Sequence, residues 1–372
     1  MPPTAPRVIL ISGHYLRSKR RAGFHHLAEA YRRAGWDVTF VTAAISLLSR
    51  LRGDYRFEYP VRAEANRLVP VEERLASFVL MTRTHPGNLG LGLANRLSAR
   101  WFARYARLDL GPLEDTLRGA DLVVFEGTAA LLLVDRIRGL APGARLVYRA
   151  SDDLRALDVH PLILEAEARA VPLFELVSAA TPQIARRLAD FGRVELHPPA
   201  IDKDAFDRET ESPYGRGPVA VFAGVSPFFD YDTLRAAAVL APHVSFHVIG
   251  QPPRPLTENV FFQPELPFET VVPYLQHATF GLLFFPPGYP GLGQGNKAAQ
   301  YSYCRLPIVA PVDLEVGRPN VCAFERGDWK SLRLALEQAE RMPHAPAFAE
   351  GITSAEELAV ILAGAARAGG DS

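Results

Sequence analysis

The sequence contains little cysteine, and this scarcity excludes two classes of small fold. Only Cys304 and Cys322 occur among 372 residues, which rules out a disulfide-rich scaffold and a cysteine-based zinc ribbon. Two free thiols suit a reducing compartment. With 48% hydrophobic and 22% charged residues, the chain has the composition of a folded protein. Its length predicts two domains, because single cores stop growing at about 250–300 residues.

Long hydrophobic runs are also absent. A membrane-spanning helix needs roughly 20 apolar residues, and the longest candidate, LVVFEGTAALLLV (122–134), is interrupted by Glu126. The run Val8-Ile9-Leu10-Ile11 is too short for a signal peptide, and its basic cluster follows the apolar segment instead of preceding it. We therefore expect no signal peptide and no membrane crossing.

The motifs of metal-dependent and serine-dependent hydrolases are missing. His25 and His26 are adjacent and cannot share a helix face, and no HExxH or paired-ligand spacing occurs. No GxSxG nucleophile elbow is present. The sequence therefore predicts chemistry without a protein-bound metal or cofactor.

The charge is balanced overall but divided unevenly along the chain. Residues 1–150 carry 23 of the 41 Lys and Arg but only 13 of the 41 Asp and Glu. A basic front half and an acidic back half indicate two domains with different partners. The basic half suits anionic lipid, nucleic acid or a phosphorylated substrate.

Apolar strand-like runs alternate with helical stretches through most of the chain, as in RVILIS (7–12), the helical stretch 20–35 and DVTFVTA (37–43). This βαβ rhythm predicts parallel sheets covered by helices. Residues 201–217 are polar and aperiodic, so we predict a linker between domains 1–200 and 218–350. A C-terminal helical segment within 351–372 is expected to pack back on the first domain.

Two carboxylates follow the strand-like run RLVYR (145–149). Asp152 and Asp153 fall at a strand's carboxyl end, where α/β folds bind ligands. Either residue could cap the next segment, or one could act as a general base that takes a proton from an acceptor hydroxyl. For Arg149, the alternatives are a structural ion pair, a counterion for Asp152 or an acceptor contact.

A glycine-rich stretch, GLGQGNKAAQ (291–300), opens a predicted helix. It lacks the Gly-Lys-Ser/Thr of a Walker loop, since Asn296 precedes Lys297 and Ala298 follows it. Amides at a helix N-terminus together with Lys297 would hold a diphosphate. The alternative is an ordinary helix start with a solvated lysine.

The stretch RLSARWFARYARL (96–108) combines arginines with aromatic residues at helical spacing. Arg96, Arg100 and Arg104 fall on one stripe, and Trp101 falls on the adjacent apolar stripe. Such a helix either packs on its own domain or lies in a membrane interface. No nucleic-acid-binding module is recognisable, and the acidic second half argues against nucleic acid as a partner.

Several motifs together resemble the GumK-type glucuronosyltransferases of xanthan assembly, which have the GT-B fold of two Rossmann-like domains facing across a cleft. The similarity runs from about residue 8 to 310 and is weak beyond about 320. The matching stretches, in chain order, are RRA before FH (20–25), SRLRGDYR (49–56), THP (84–86), VVFE (123–126), LVYRASD (146–152), SPYGRG (212–217), SFHVIG (245–250) and HATFG (277–281).

The resemblance implies an inverting, metal-independent transfer of a sugar from a UDP-sugar to a polyprenyl-diphosphate-linked glycan. It also implies peripheral binding to the anionic inner face of the cytoplasmic membrane. Asp152 aligns with the family's catalytic aspartate, whereas the position of Asp153 is not acidic in the family. The implied donor-site residues are Lys297, Gln300, Glu265, Asp202, Asn296, Phe285, Val225 and Ser226. The implied acceptor- and membrane-facing residues are Arg20, Arg21, His25, Arg96, Arg100, Trp101 and Arg104.

Three departures from the family pattern lie in the donor site, so the donor sugar, for which glucuronate is the first expectation, stays open. The loop before Lys297 is shorter, Phe285 replaces a tyrosine, and the segment 224–230 carries one extra residue. Two alternative functions also remain at this point. One is a UDP-sugar epimerase of the same architecture, and the other is a glycan-binding protein without activity.

Overall fold

The computed structural model describes residues 5–225, 229–288 and 295–364. The chain forms two compact units, Met1–His197 with Ala355–Ser372, and Pro198–Ser354. Each unit is built on one sheet of parallel strands with helices on its faces, which is the α/β class that the alternating pattern predicts.

The first unit contains an eight-stranded sheet with the order β3-β4-β2-β1-β5-β6-β7-β8. Its strands are β1 (Arg7–Ser12), β2 (Asp37–Ser46), β3 (Leu68–Glu72), β4 (Leu75–Thr82), β5 (Leu122–Glu126), β6 (Arg145–Ala150), β7 (Leu176–Ala179) and β8 (Glu195–Leu196). Only the β3–β4 pair is antiparallel. The α-helices are α1 (Gly23–Arg33), α2 (Leu47–Leu51), α3 (Gly92–Phe102), α4 (Leu113–Arg118), α5 (Val134–Leu140), α6 (Pro161–Ala170), α7 (Pro182–Leu188) and the returning α13 (Ala355–Ala363).

The second unit contains a six-stranded parallel sheet with the order β11-β10-β9-β12-β13-β14. Its strands are β9 (Val219–Ala223), β10 (Ser245–Ile249), β11 (Val260–Gln263), β12 (Phe280–Leu282), β13 (Ile308–Pro311) and β14 (Val321–Phe324). Its α-helices are α8 (Lys203–Asp207), α9 (Tyr231–Leu240), α10 (Phe268–Gln276), α11 (Asn296–Tyr303) and α12 (Trp329–Arg341).

The central strands of both sheets are buried and mostly apolar because helices cover both faces. All five residues of β5 are buried, as are the last five of β1. Such strands show no alternation of polar and apolar residues, which is why short apolar runs locate them in the sequence. The hairpin of β3 and β4 was not predicted.

The predicted linker, residues 201–217, is packed on the second unit and is not a free connection. The Asp202 carboxylate accepts a hydrogen bond of 3.1 Å from the backbone N–H of Ala205 and so caps helix α8. Phe206 on this helix is buried in the core of the unit. The prediction was wrong here because a five-residue helix is too short to show a periodic pattern.

The helix α13 packs on α1 of the first unit. The hydroxyl of Tyr31 on α1 donates a hydrogen bond of 2.9 Å to the carbonyl of Ala359, and the Arg145 guanidinium donates to the carbonyl of Leu362 at 3.1 Å. The chain therefore leaves the first unit after β8 and returns to it for its last helix. In the described part of the chain, no helix has the length and hydrophobicity needed to cross a bilayer.

Two histidines of the first unit are held in their neutral form. His25 is 1% exposed; its Nδ1 accepts from the N–H of Ala22 at 3.1 Å, so Nε2 carries the proton and donates to the Tyr15 carbonyl at 3.0 Å. Burial, followed by the charge of His14, lowers the pKa of His25 to about 3. Burial, followed by the charge of Arg56, lowers the pKa of His85 to about 4.

Acid should therefore destabilise the protein through these two residues. In the unfolded chain both histidines bind protons below their ordinary pKa of about 6.5, whereas in the folded chain they stay neutral until about pH 3 to 4. The free energy of unfolding should then fall as the pH drops from 7 to 5, by up to about 1.4 kcal/mol per pH unit for each histidine.

Denaturant unfolding of the wild type and of His25→Gln at pH 7 and pH 5 measures this effect. Between pH 7 and pH 5, the free energy of unfolding of the glutamine variant should fall less than that of the wild type, by about the contribution of one histidine. The contribution of the carboxylates is the same in both proteins and cancels in the comparison. An equal loss of stability in both proteins would show that His25 does not stay neutral.

Candidate functional site

The first unit has a pocket of about 640 Å³ at the carboxyl ends of its central strands. The loops after β1, β5 and β6 form it together with the 3₁₀ turn Tyr55–Glu58 and the residues before it. The lining residues are Gly13, His14, Gly53, Asp54, Tyr55, Arg56, Glu126, Gly127, Thr128, Asp152 and Leu157. Parallel strands bring their carboxyl ends to one edge, which explains why residues distant in sequence share this pocket.

Asp152 and Asp153 are adjacent in sequence but have different surroundings. Asp152 is exposed and lines the pocket. Asp153 is half-buried; its carboxylate lies 2.9 Å from Nε of Arg187 and accepts the N–H of Arg155 at 3.0 Å. Arg187 also pairs with the buried Glu167. Asp153 therefore belongs to a structural network, whereas Asp152 lines the pocket.

Arg149 lies beneath this pocket with 4% of its surface exposed. It donates hydrogen bonds to the Ser178 hydroxyl at 2.9 Å and to the His197 carbonyl at 2.6 Å. Burial lowers the pKa of Arg149 to about 10, against the opposing charges of Glu126 and Asp152. Arg149 thus remains a cation at neutral pH, with the carboxylates of Glu126 and Asp152 near it.

The pocket also contains an ion pair of Asp54 and Arg56, which no motif or spacing singled out in the sequence. The Arg56 guanidinium donates to the backbone carbonyls of Gly13, Ala43 and Ala44 at 2.8 to 3.0 Å. It also lies 2.6 Å from the Asp54 carboxylate. Burial raises the pKa of Asp54, but the hydrogen bonds and charge of Arg56 outweigh burial and hold that pKa below its usual range. The only signal for this pair was the stretch SRLRGDYR.

In the second unit, Lys297 lies against a backbone that only glycine permits. It stands in the first turn of α11, with Nζ 5.3 Å from the ring centre of Phe222 and 5.9 Å from that of Phe285. Gly224 after β9 has a φ of +144°, and a Cβ there would lie 2.6 Å from both Cε and Nζ of Lys297. The ammonium is therefore placed at the carboxyl ends of β9 and β12, beside a helix N-terminus.

The other predicted donor-site residues that the structure describes lie on α11 or after strands of the same unit, except Asp202. Asn296 begins α11 and Gln300 lies one turn further along it. Glu265 follows β11, Phe285 is buried after β12, and Val225 follows Gly224 with 43% exposure. The structure gives Asp202 the capping role on α8 described above. Ser226 lies outside the described residues.

An exposed apolar surface on the first unit carries part of the predicted membrane-facing set. We define the α2–α3 surface by its exposed side chains: Leu47, Leu48, Leu51, Leu91, Leu93, Leu97 and Trp101. Its two helices meet at the segment 84–85, because Nε1 of Trp101 donates to the Thr84 hydroxyl at 3.1 Å and His85 lies 3.0 Å from the Ser46 hydroxyl. Several large apolar side chains exposed on two neighbouring elements are typical of an interaction site.

The predicted basic residues of the first unit divide into exposed and buried members. Arg96 and Arg100 are exposed on α3, and Arg104, on the 3₁₀ turn that follows, stacks on Trp101 at 4.8 Å. Arg20 stacks on the pocket residue Tyr55 at 3.7 Å, and Arg21 is exposed. His25 was expected on this surface, and that was wrong: it is buried in the core.

Comparison with known proteins identifies a family model and a curated relative that this chain resembles. The family model for the N-terminal domain of glucuronosyltransferase GumK matches residues 10–180. A UDP-glucuronate:glycolipid 2-beta-glucuronosyltransferase of Xanthomonas campestris pv. campestris is 28% identical over 346 residues, which cover 91% of this chain and 85% of that protein.

Solved structures with the GT-B fold align over nearly the whole chain. One is an Escherichia coli structure described as trehalose-6-phosphate bound with UDP-2-fluoro glucose, with a TM-score of 0.57, 12% identity and 96% of each chain covered. Another is a glycosyltransferase of Rickettsia africae, with a TM-score of 0.54, 9% identity, and 97% and 94% of the two chains covered. At such identities the likeness shows the fold alone, which is the predicted GT-B arrangement of two Rossmann-like domains.

The different surroundings of the two aspartates predict different effects on stability. Asp153→Asn removes one charged partner of the buried Arg187, which should lower the free energy of unfolding by about 1–3 kcal/mol. Asp152→Asn changes an exposed side chain and should cost less than about 1 kcal/mol. Denaturant unfolding of both variants at pH 7 measures the difference, and a larger loss for the Asp152 variant would contradict the assignment.

Proposed function

We propose that this chain is a member of the GumK-type glucuronosyltransferase family, an inverting glycosyltransferase that moves glucuronate from a UDP-sugar to a lipid-linked oligosaccharide. The curated relative named above acts on UDP-glucuronate and a glycolipid. The observation that carries the proposal is the exposed Asp152 at the pocket of a GT-B protein, with its neighbour Asp153 committed to Arg187.

Acceptor activation is assigned to the first unit. Asp152 takes the proton from the acceptor hydroxyl while that oxygen bonds to the anomeric carbon and the bond from that carbon to UDP breaks. Attack from the face opposite UDP inverts the anomeric centre. A carboxylate suits this task, and the buried cation of Arg149 lies near Asp152.

Donor binding is assigned to the second unit. Charge accumulates on the departing diphosphate, and Lys297 with the first amides of α11 can stabilise it without a metal ion. The aromatic rings of Phe222 and Phe285 limit the hydration of the ammonium, and weaker hydration strengthens its interaction with an anion. Gly224 allows the close approach of Lys297, and Glu265 can accept hydrogen bonds from a ribose or uracil.

Membrane binding is assigned to the α2–α3 surface. Leucines and a tryptophan would enter the interface, and the flanking cations Arg50, Arg96 and Arg100 would meet anionic headgroups. The helix α2 leads directly into the pocket residues 53–56, so this surface adjoins the place where a lipid-linked acceptor would be used. We propose a peripheral protein of the inner face of the cytoplasmic membrane.

The catalytic assignment predicts a loss of transfer without a loss of binding. Asp152→Asn should lower turnover by about a hundredfold or more, because general-base catalysis contributes roughly 10² to 10⁴. UDP should still raise the melting temperature of this variant. Asp153→Asn is the matched control, and its turnover should stay near the wild-type value at a temperature where both variants are folded.

A thermal-shift panel of UDP-glucuronate, UDP-glucose, UDP-galactose and GDP-mannose tests the donor, and NMR of the transferred sugar tests inversion. Stabilisation by GDP-mannose alone would overturn the donor assignment. Wild-type turnover in Asp152→Asn would overturn the general-base role, and conversion of UDP-glucuronate to an epimer without acceptor would replace the proposed reaction.

The membrane assignment predicts that Leu97 and Trp101 contribute to vesicle binding. Replacing Leu97 and Trp101 together by serine should weaken binding to vesicles that contain phosphatidylglycerol by about tenfold or more, since each large side chain contributes about 1.5–3 kcal/mol when buried. Leu334→Ser on α12 is the control, because Leu334 is equally exposed, at 56%, on the second unit. Vesicle sedimentation measures both, and equal binding by all three proteins would exclude the α2–α3 surface.

A further inference from the structure

A row of polar side chains crosses the apolar sheet of the first unit beneath its pocket. The strand register pairs Ser12 with Thr42, Glu126 with Arg149, and Arg149 with Ser178. Ser12 and Glu126 close the remaining step, because the serine hydroxyl donates to Oε2 of the glutamate at 2.5 Å. All five side chains are at most 8% exposed. Burying a carboxylate in such a row costs stability, so its position calls for an explanation.

Within the part of the chain that the structure describes, Glu126 accepts hydrogen bonds through one of its two oxygens. Oε2 accepts hydrogen bonds from the Ser12 hydroxyl and from the N–H of Gly13 at 3.1 Å. Among the described residues, no donor is bonded to Oε1, although this carboxylate lines the pocket. An ionised carboxylate offers about four acceptor positions and no donor. Glu126 is therefore held rigidly by one oxygen and presents its remaining acceptor capacity to the pocket.

The other buried carboxylates of this unit serve different purposes. Both oxygens of Glu167 are used, one by the Tyr148 hydroxyl and Arg187 and the other by Arg187, and Glu167 does not line the pocket. Both oxygens of Asp54 accept from Arg56. Glu64, a further buried carboxylate, also has one oxygen that accepts no hydrogen bond among the described residues, but it does not line the pocket. Glu126 differs from Glu167 and Glu64 because it lines the pocket, and from Asp54 because no described donor is bonded to its Oε1.

We propose that Glu126 binds a hydroxyl group of the acceptor sugar and orients that sugar toward Asp152. This inference rests on the proposed function and deepens it. Glu126 forms the floor of the pocket, Asp152 stands exposed above the same sheet edge, and Arg149 balances the charge of both. One carboxylate then positions the sugar while the other removes the proton.

The same geometry defines the class of sugar that the pocket accepts. Glu126 and Asp152 both line it, whereas the third lining carboxylate, Asp54, is paired with Arg56. The hydroxyl groups of a neutral hexose can donate hydrogen bonds to the oxygens of Glu126 and Asp152, and a sugar without a hydroxyl at the bound position cannot. A site built to bind a substrate hydroxyl discriminates strongly against an analogue that lacks it.

The test is a comparison of kinetic constants with octyl glucoside and octyl mannoside as acceptors and UDP-glucuronate as donor. Glu126→Gln keeps the shape of the side chain and removes its charge, so it should raise the acceptor KM by about tenfold to a hundredfold, the range for a hydrogen bond to a charged group. The donor KM should stay the same. Glu167→Gln is the matched control, a buried carboxylate outside the pocket, and should lower the melting temperature without changing the acceptor KM.

Monodeoxy forms of the preferred glycoside identify the bound hydroxyl. For the form that lacks it, wild type and Glu126→Gln should have the same acceptor KM, whereas for the other deoxy forms the difference should persist. An unchanged acceptor KM in Glu126→Gln, or a difference that persists for every deoxy form, would overturn the role of Glu126 while transfer by the wild type upholds the proposed function. Absence of transfer by the wild type to any glycoside would count against the proposed function and the inference that depends on it.

Discussion

The first unit depends on one buried positive charge, the guanidinium of Arg149. It lies at the carboxyl end of β6, between a carboxylate on one neighbouring strand and a serine on the other. Burial of a cation is costly unless it is paired and hydrogen-bonded, so its neighbours are constrained in turn. The Ser178 hydroxyl and the His197 carbonyl accept its hydrogen bonds, and Glu126 and Asp152 supply the negative charge around it. The polar chemistry of the pocket is thus built into the sheet itself.

The pocket shows how two adjacent aspartates acquire separate roles. Asp153 is drawn to Arg187, which also pairs with Glu167, and this network ties the end of β6 to helices α6 and α7. With Asp153 fixed in this way, Asp152 is directed to the pocket. A second arginine, Arg56, fastens the loop after β1 and the end of β2 by hydrogen bonds to three carbonyls. Arg187 and Arg56 both stabilise loops, because they form hydrogen bonds or ion pairs with polar groups that would otherwise lack a partner at the sheet edge.

The second unit has a different arrangement, which fits the proposed binding of an anionic donor. Here the fold brings a lysine, a helix N-terminus and a glycine with positive φ to the carboxyl ends of β9 and β12. The rings of Phe222 and Phe285 lie beside the ammonium. The charged groups of the two sites are opposite in sign to the excess charge of the surrounding sequence. The first unit has carboxylates in the basic half of the chain, and the second unit has a lysine in the acidic half.

The sequence by itself determined the α/β class, the order of most strands and helices, and the positions of Asp152 and Lys297 at element ends. These features are local, since an apolar run, a helix start or a charged residue after a strand is visible within ten residues. Only the tertiary structure decided that Asp153 and Asp202 serve structure, that His25 is buried, and that Asp54, Arg56 and Glu126 share a pocket with Asp152. The physical reason is that strand order and register bring together residues more than a hundred positions apart, and no local pattern records which strands become neighbours.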